Sequence, residues 1–439
     1  MSNWNTAKLG DYLDALLDYR GKSPPKSESG IPVLSAKVVK TSGLLNPIEQ
    51  RIAPEYYPKW MIRGLPKAGD VVFTTEGPMG EVIQLTEETA KYALGQRIVT
   101  LRGKKGILDN AFLRYLLTAP HQQAVLASYA TGTTVLGISQ AALRSVPITF
   151  PKWEEQLEIA EVLSALDDKI ELNRRMNETL EALAQAIFKD WFVTFGPTRR
   201  KMDGPPDPVA ILGGLIPDPT KAAPFAALFP DSLGENGLPE GWEEASLDVV
   251  CSVNDESWKA SNPPEEVNYV DLSNTKWGVI EATSVLSWEE APSRARRIAR
   301  PGDTIVGTVR PGNGSYAFIS EEGYTASTGF AVLRPTRPEY ANFVYIASTR
   351  PDNVERLANL ADSHGGAYPA VNPGEVTSTK IAYSGEPALL AFDLLAGPFR
   401  ERIEHNKQEN RTLAETRDYL LPKLMSGAVR MRDAEKAVS

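Results

Sequence analysis

The sequence predicts an α+β fold: two mixed α/β globules separated by two long helices that pair as an antiparallel coiled coil, with an internal pseudo-twofold repeat. Three observations predict it. Apolar and Asn residues recur at alternating steps of 4 and 3 over one long stretch, the same phase returns 233 positions later, and a series of short β-rich runs broken by Gly and Pro precedes each stretch.

The first heptad seam runs through Leu166, Ile170, Asn173, Asn177, Leu180, Ala184, Ile187 and Trp191. The second runs through Phe399, Ile403, Asn406, Asn410, Leu413, Arg417, Leu420 and Leu424. Two consecutive Asn in both copies weaken an apolar seam, but they make Asn layers meet and so set the register of one helix against the other. A single such helix would read as an ordinary amphipathic helix on its own domain. The repeated Asn pair points instead to two helices pairing within one chain. Each would be ~55 to 60 Å long at ~1.5 Å per residue, the dimension of a spacer.

Residues 1–151 form the first globule, with β-rich runs IPVLSAKVV, DVVFTT, EVIQL and QRIVTLR. Between them and the long helix, DNAFLRYLLTAPHQQAVLASY has an Asp/Asn start and helical apolar spacing, interrupted at Pro120. A polar Gly/Thr loop, a short helix and a last strand follow. The spacer helix is expected over 152–195. Residues 196–240 carry nine prolines and six glycines and read as a linker lying along the surface. The second globule, 241–385, replays the first. Trp4 and Leu9 answer to Trp242 and Leu247, Gly69-Asp70 to Gly302-Asp303, Leu101-Arg102 to Leu333-Arg334, and GTTVLGISQAALRSVPI to GGAYPAVNPGEVTSTKI. The second spacer helix spans 386–427, and a tail covers 428–439.

With 42% hydrophobic and 23% charged residues the chain has a soluble globular balance. The lone Cys251 excludes an intramolecular disulfide. The three histidines are too dispersed for a metal cluster, and no apolar run is long enough for a membrane span. A cytoplasmic location is expected. The net charge of −9 is unevenly spread: residues 1–150 hold 17 basic against 12 acidic side chains, residues 240–385 hold 12 against 20. Within the acidic half, Arg294, Arg296, Arg297, Arg300 and Arg310 are opposed only by Asp303, which leaves a local basic patch. Phosphate contact needs local positive potential, not a basic whole protein.

Two readers held a set distance apart suit double-stranded DNA, whose own symmetry lets a protein address two short sites across a spacer. Globules that differ in their loops within a shared frame imply two different half-sites, hence an asymmetric split target.

On these motifs the chain resembles the specificity subunits of type I restriction-modification systems. The resemblance covers essentially the full length and rests on the opening Trp-x4-Leu, the Gly-Asp before an apolar strand, the Gly-rich loop before the last strand, and the segments IELNRRMNETLEALAQAIFKDWF and IEHNKQENRTLAETRDYLLPKLMSG. It implies that each globule is a target-recognition domain and that the helices are spacers on which methyltransferase subunits dock. It implies a complex with two methylation and two restriction subunits, or one lacking the latter. S-adenosylmethionine, ATP and Mg are then expected on the partner subunits and none of them on this chain, with no membrane involvement. Target adenine would be flipped by the methylation partner.

A catalytic alternative is a self-sufficient adenine DNA methyltransferase using Asn262-Pro263-Pro264, but Glu265 stands where an aromatic would stack on the base, and a Phe-x-Gly-x-Gly cofactor loop is missing. Gly137-Ile138-Ser139-Gln140-Ala141 departs from a nucleophile elbow at Ala141, and no Walker A sequence occurs. By residue chemistry, candidate DNA contacts are Lys37, Thr75, Gln96, Arg97, Thr133 and Thr134 in the first globule. In the second they are Arg310, Asn313, Tyr316, Ser327, Thr328, His364 and Tyr368. The second helix face, with Leu163, Leu172, Met176 and Leu183, is the expected docking surface for partner subunits.

Overall fold

The computed structural model describes residues 4–429 except 22, 46, 133–134, 205–206 and 367. The chain falls into two compact units, residues 1–173 with 408–439, and residues 174–407.

In the first unit a four-stranded antiparallel sheet has the order Leu13–Asp18, Ile98–Gly103, Val71–Thr75, Met79–Gln84. Alternation along each strand divides its residues between two cores. Val71 and Phe73 join Val99 and Leu101 on the face covered by helix Asn110–Thr118 and the long helices. Val72, Ile83 and Ile98 face a small three-stranded sheet built on Ile31–Leu34. A sheet covered on both sides explains why DVVFTT reads as continuous apolar sequence. Strand Leu13–Asp18 is an element that the turn-and-strand pattern alone did not mark. The Asp109 carboxylate caps helix Asn110–Thr118 by accepting the Phe112 N–H at 2.9 Å. That helix stops at Ala119, in extended conformation, and Pro120 opens the next helix, Pro120–Ser128.

The second unit repeats this plan with Cys251–Val253, Phe330–Pro335, Thr304–Gly307 and Tyr316–Phe318 in the same sheet order. Its accessory sheet differs, with four strands, Ser284–Ser287, Glu266–Val270, Tyr324–Ser327 and Ala295–Ala299. In both units the first strand pairs antiparallel with the last, Asn5–Lys8 with Pro147–Phe150 and Glu243–Ser246 with Lys380–Tyr383.

The Gly-Asp pairs have a structural reason. Gly69 and Gly302 adopt φ of 84° and 91°, a region that favours glycine. The following carboxylate closes the turn: Asp70 accepts the Lys67 N–H at 2.8 Å, and Asp303 accepts the Arg300 N–H at 2.8 Å. Arg102 and Arg334 then clamp these buried aspartates in two parallel hydrogen bonds each.

The two long helices are Trp153–Phe192 and Glu386–Met425, 40 residues each, and their limits correspond at the offset of 233. They pair antiparallel, since partner numbers fall along one as they rise along the other. In the first unit Arg417 bonds Asp167 and Asn173 Nδ2 donates to Asn410 Oδ1 at 2.9 Å. In the second, Asn406 Nδ2 donates to Asn177 Oδ1 at 2.8 Å and Arg400 bonds Glu181. Of the seam residues, Leu166, Asn173, Ile187, Ile403, Asn406 and Leu420 are buried; Ile170, Asn177, Leu180, Asn410 and Leu413 are half-buried.

Two expectations change. Leu163, expected on an open helix face, is fully buried in the first core, while Leu172 and Leu183 are exposed. The Pro/Gly-rich stretch 196–240 contains helices Gly196–Asp203, Pro208–Ile211 and Pro219–Ala226, and it packs Ile211, Leu212, Ala222, Ala226 and Phe229 into the second core. The Trp191 and Phe229 rings meet edge to face at 4.9 Å, and Arg200 ties the stretch to Asp190 at 2.7 Å. Each fully buried Phe or Leu contributes about 1.5 to 3 kcal/mol, which outweighs what composition alone predicts for the segment.

Candidate nucleic-acid interface

In each unit, three loops meet beside the end of a central sheet strand and are joined through main-chain atoms. In the first, Thr75 N donates to Arg97 O at 2.8 Å, Ile138 N donates to Thr75 O at 3.0 Å, and Glu76 bridges Gly137. In the second, Thr308 N donates to Gly329 O at 2.8 Å, Val371 N donates to Thr308 O at 2.9 Å, and Val309 bridges Ala370. Thr75, Glu76, Gly137 and Ile138 correspond to Thr308, Val309, Ala370 and Val371, all at an offset of 233. The frame is shared, and the side chains it carries differ.

On the first frame Arg97 sits at φ 62° with its side chain 55% exposed, its Nε 3.6 Å from Glu76 Oε1. Gln96 is exposed, and its carbonyl accepts the Ala36 N–H at 3.3 Å. Lys37 is exposed and pairs with the equally exposed Glu49. Thr75 is buried, so its side chain lies out of reach of a duplex; a strand residue read for its hydroxyl turns out to supply its backbone. Thr133 and Thr134 lie outside the described residues.

Beside this frame a cleft of about 610 Å³ is lined by Asp18, Arg20, Arg63, Glu76 and Gln140. Arg20 forks onto Asp18 and donates from Nη1 to Ile138 O at 2.9 Å, which ties Ile138 to the sheet edge. Burial raises the Asp18 pKa, but hydrogen bonds from Arg20 outweigh it and hold the carboxyl below its ordinary value.

On the second frame Arg310, at φ 48°, donates its N–H to Pro369 O at 2.8 Å and places its guanidinium 5.4 Å from the centre of the Tyr368 ring. Tyr368 is 74% exposed. Asn313 is exposed at the adjoining turn. Thr328 is exposed, its N–H bonded to Arg294 O at 2.8 Å. His364 donates from Nδ1 to Ala370 O at 3.0 Å and sets Nε2 3.3 Å from Glu375.

Two candidates are corrected by their surroundings. Ser327 is buried and accepts the Gly329 N–H at 3.2 Å, and Tyr316 packs inward against Trp277 and Tyr345, where burial pushes its phenol up to about 12. The arginine run is also partly spent within the fold: Arg300 pairs with Glu256 at 2.7 Å and Arg296 lies 4.1 Å over the Trp288 ring.

Residue chemistry missed Arg20, Arg63, Val135 and Leu136. The last two are apolar yet about half exposed at the loop tip, and Val135 occupies the position equivalent to Tyr368. The offset of 233 was the available signal, because it aligns the two loop tips. Asn262 ends a turn closed by its N–H to Lys259 O at 3.0 Å, and Pro263 and Pro264 follow it in irregular structure, the first exposed and the second half-buried.

Residues 1–182 match the family model described as the type I restriction modification DNA specificity domain. The HindI specificity subunit of Haemophilus influenzae is 24% identical over 83% of this chain and 87% of its own length. The MjaIX specificity subunit of Methanocaldococcus jannaschii is 24% identical over 88% and 83%. The crystal structure of the type I restriction-modification S subunit from M. genitalium superposes with a TM-score of 0.53 at 16% identity, over 96% of both chains. The match of residues 1–182 to the family model, the two relatives that cover most of the chain and the shared fold agree with the duplicated frame, and together they make the chain similar to the type I restriction-modification specificity subunits.

Proposed function

We propose that this chain reads a bipartite, asymmetric site on double-stranded DNA and is not itself a catalyst. Residues 1–151 and 241–385 act as its two target-recognition domains, and the spacer helices 152–195 and 386–427 set the gap between half-sites. The observation that carries this reading is the duplicated main-chain frame with unlike side chains, Arg97 and Val135 on one copy, Arg310 and Tyr368 on the other. A retained frame holds each reading loop in the same pose, while different side chains select different bases. Guanidinium groups at the loops supply the local positive potential that a chain of net charge −9 otherwise lacks.

In this reading the chain scaffolds two methylation subunits, with two restriction subunits in the full complex. S-adenosylmethionine belongs to the former, and ATP and Mg to the latter. The exposed Leu172 and Leu183 are the helix positions best placed to contact a partner.

The test is to map N6-methyladenine across the source genome in wild type and in a strain lacking only this chain. Loss of one split, asymmetric motif is the expected result. An unchanged methylome, in a strain that expresses the chain alongside an active methylation partner, overturns the proposal.

A further inference from the structure

Asp167 and Arg400 occupy equivalent positions in the two long helices, 233 residues apart, and carry opposite charges. Each is nonetheless the centre of the same kind of junction. The Asp167 carboxylate accepts from Arg114 Nη2 and the Tyr115 hydroxyl, both at 2.7 Å, and from Arg417 Nη1 at 2.9 Å. Arg114 and Tyr115 belong to the globule helix Asn110–Thr118, and Arg417 to the opposite long helix. Arg400 donates from Nη2 to Glu181 of the opposite long helix at 3.1 Å and from Nε to Asn342 Oδ1 at 3.4 Å. Its guanidinium lies against the rings of Phe318 and Tyr345, 4.8 and 4.3 Å from their centres, and the two rings meet edge to face. Asn342 and Tyr345 lie on Ala341–Thr349, the globule helix that corresponds to Asn110–Thr118. One largely buried ionic side chain therefore ties a globule to both spacer helices in each unit.

The apolar contacts around these junctions hold the globule on the helices but are non-directional, so they tolerate a small rotation. Hydrogen-bonded charges in a low-dielectric setting do not, because rotation leaves them unpaired. The leverage is considerable. For a globule of this size, a tilt of about 10° displaces a loop roughly 20 Å away by about 3.5 Å, the rise of one base pair.

We infer that Asp167 and Arg400 are positioning residues that fix the pitch of each globule on the helix pair and thereby restrict the chain to one spacing between half-sites. This rests on the two-half-site reading and adds to it a determinant other than helix length. Neither residue touches DNA in this scheme; each acts through Arg114 and Tyr115, or through Asn342 and Tyr345.

The experiment uses the full chain in complex with its methylation partner. Duplexes carry the two mapped half-sites at the native spacing and at one base pair more or fewer, and initial methylation rates are compared. The native protein is expected to prefer its own spacing by at least about tenfold. In Asp167→Asn and Arg400→Gln that preference should fall to within about threefold, with the rate at the native spacing reduced less than the preference. Ile187→Ala, at a buried seam position nearly two turns beyond Glu181, should lose thermal stability yet keep the preference. Folded variants that retain the native preference, or that lose rate equally at all three spacings, overturn the inference. Should either charge variant fail to fold, Arg114→Gln and Asn342→Ala, each removing one arm of a junction, must show the broadening, and a sharp preference in both overturns it. A native protein that shows no split motif would defeat the two-half-site reading itself, whereas a sharp native preference retained by every variant defeats only the positioning role.

Discussion

Arg102 donates from Nε and Nη2 to the two carboxylate oxygens of Asp70, each at 2.7 Å, and Asp70 is 1% exposed. Because that carboxylate also closes the turn through the Lys67 N–H, it is charged, buried and fully committed. Arg102→Met should therefore destabilise the first unit by about 3 to 5 kcal/mol, read as a lowered urea midpoint. Asp70→Asn combined with Arg102→Met should recover most of the loss, since Asn still accepts the turn hydrogen bond and no charge is left unpaired. Equal instability of the single and double variants would count against it.

Asn406 is fully buried and donates to Asn177, but its own Oδ1 is buried without a hydrogen-bond partner among the described residues. Replacing both Asn177 and Asn406 by Leu should stabilise the chain by about 1 to 3 kcal/mol, because an unsatisfied acceptor disappears and an apolar layer forms. A urea midpoint below that of the native protein would refute this.

Arg310 and Arg97 stand on different copies of the loop frame. Arg310→Ala should weaken binding by about 1 to 3 kcal/mol on duplexes with an intact second half-site, and Arg97→Ala should act only through the first. Fluorescence anisotropy at one salt concentration, with either half-site scrambled, separates the cases. A uniform loss on every duplex would mark a phosphate contact for that arginine.

Burial raises the Asp393 pKa, with Glu339 and Glu401 adding like charge, while the hydrogen bond from Asn342 lowers it. A carboxyl whose folded pKa is raised favours the protonated folded state. Its stabilising contribution is present below the ordinary carboxylate range and is lost as pH rises through the raised value. Asp393→Asn should therefore raise the thermal midpoint modestly at about pH 7 and leave it unchanged near pH 3.5. A rise of equal size at both values would point to packing instead.

Cys251 is 2% exposed, and burial, with Asp248 and Asp255 nearby, pushes its thiol up to about 12. The folded chain should resist iodoacetamide at about pH 8 and react only when unfolded, as mass spectrometry would report.

The paired helices were legible because a seam leaves a periodic trace: Asn173 and Asn177 recur in phase as Asn406 and Asn410 and meet the partners that register required. Gly-Asp was legible as a landmark, though not as a clamp, since Arg102 and Arg334 lie about thirty residues away. What escaped depends on contacts distant in sequence. Nothing local distinguishes Thr75, sealed within its sheet, from the exposed Thr328. Phe229 looks like linker until Trp191 packs against it, and Arg400 looks like a helix-surface charge until Phe318 and Tyr345 enclose it.

The hydrogen bonds that close each loop frame run between main-chain atoms at Thr75, Arg97 and Ile138, and at Thr308, Gly329 and Val371. Every residue type except proline offers the same N–H and C=O, so these closures are blind to what the side chains are. Mutation can rewrite the outward face of a loop while its anchorage persists. If these loops read DNA as proposed, a lineage carrying such a scaffold can drift from one target to another through folded intermediates, changing its vocabulary without changing its grammar.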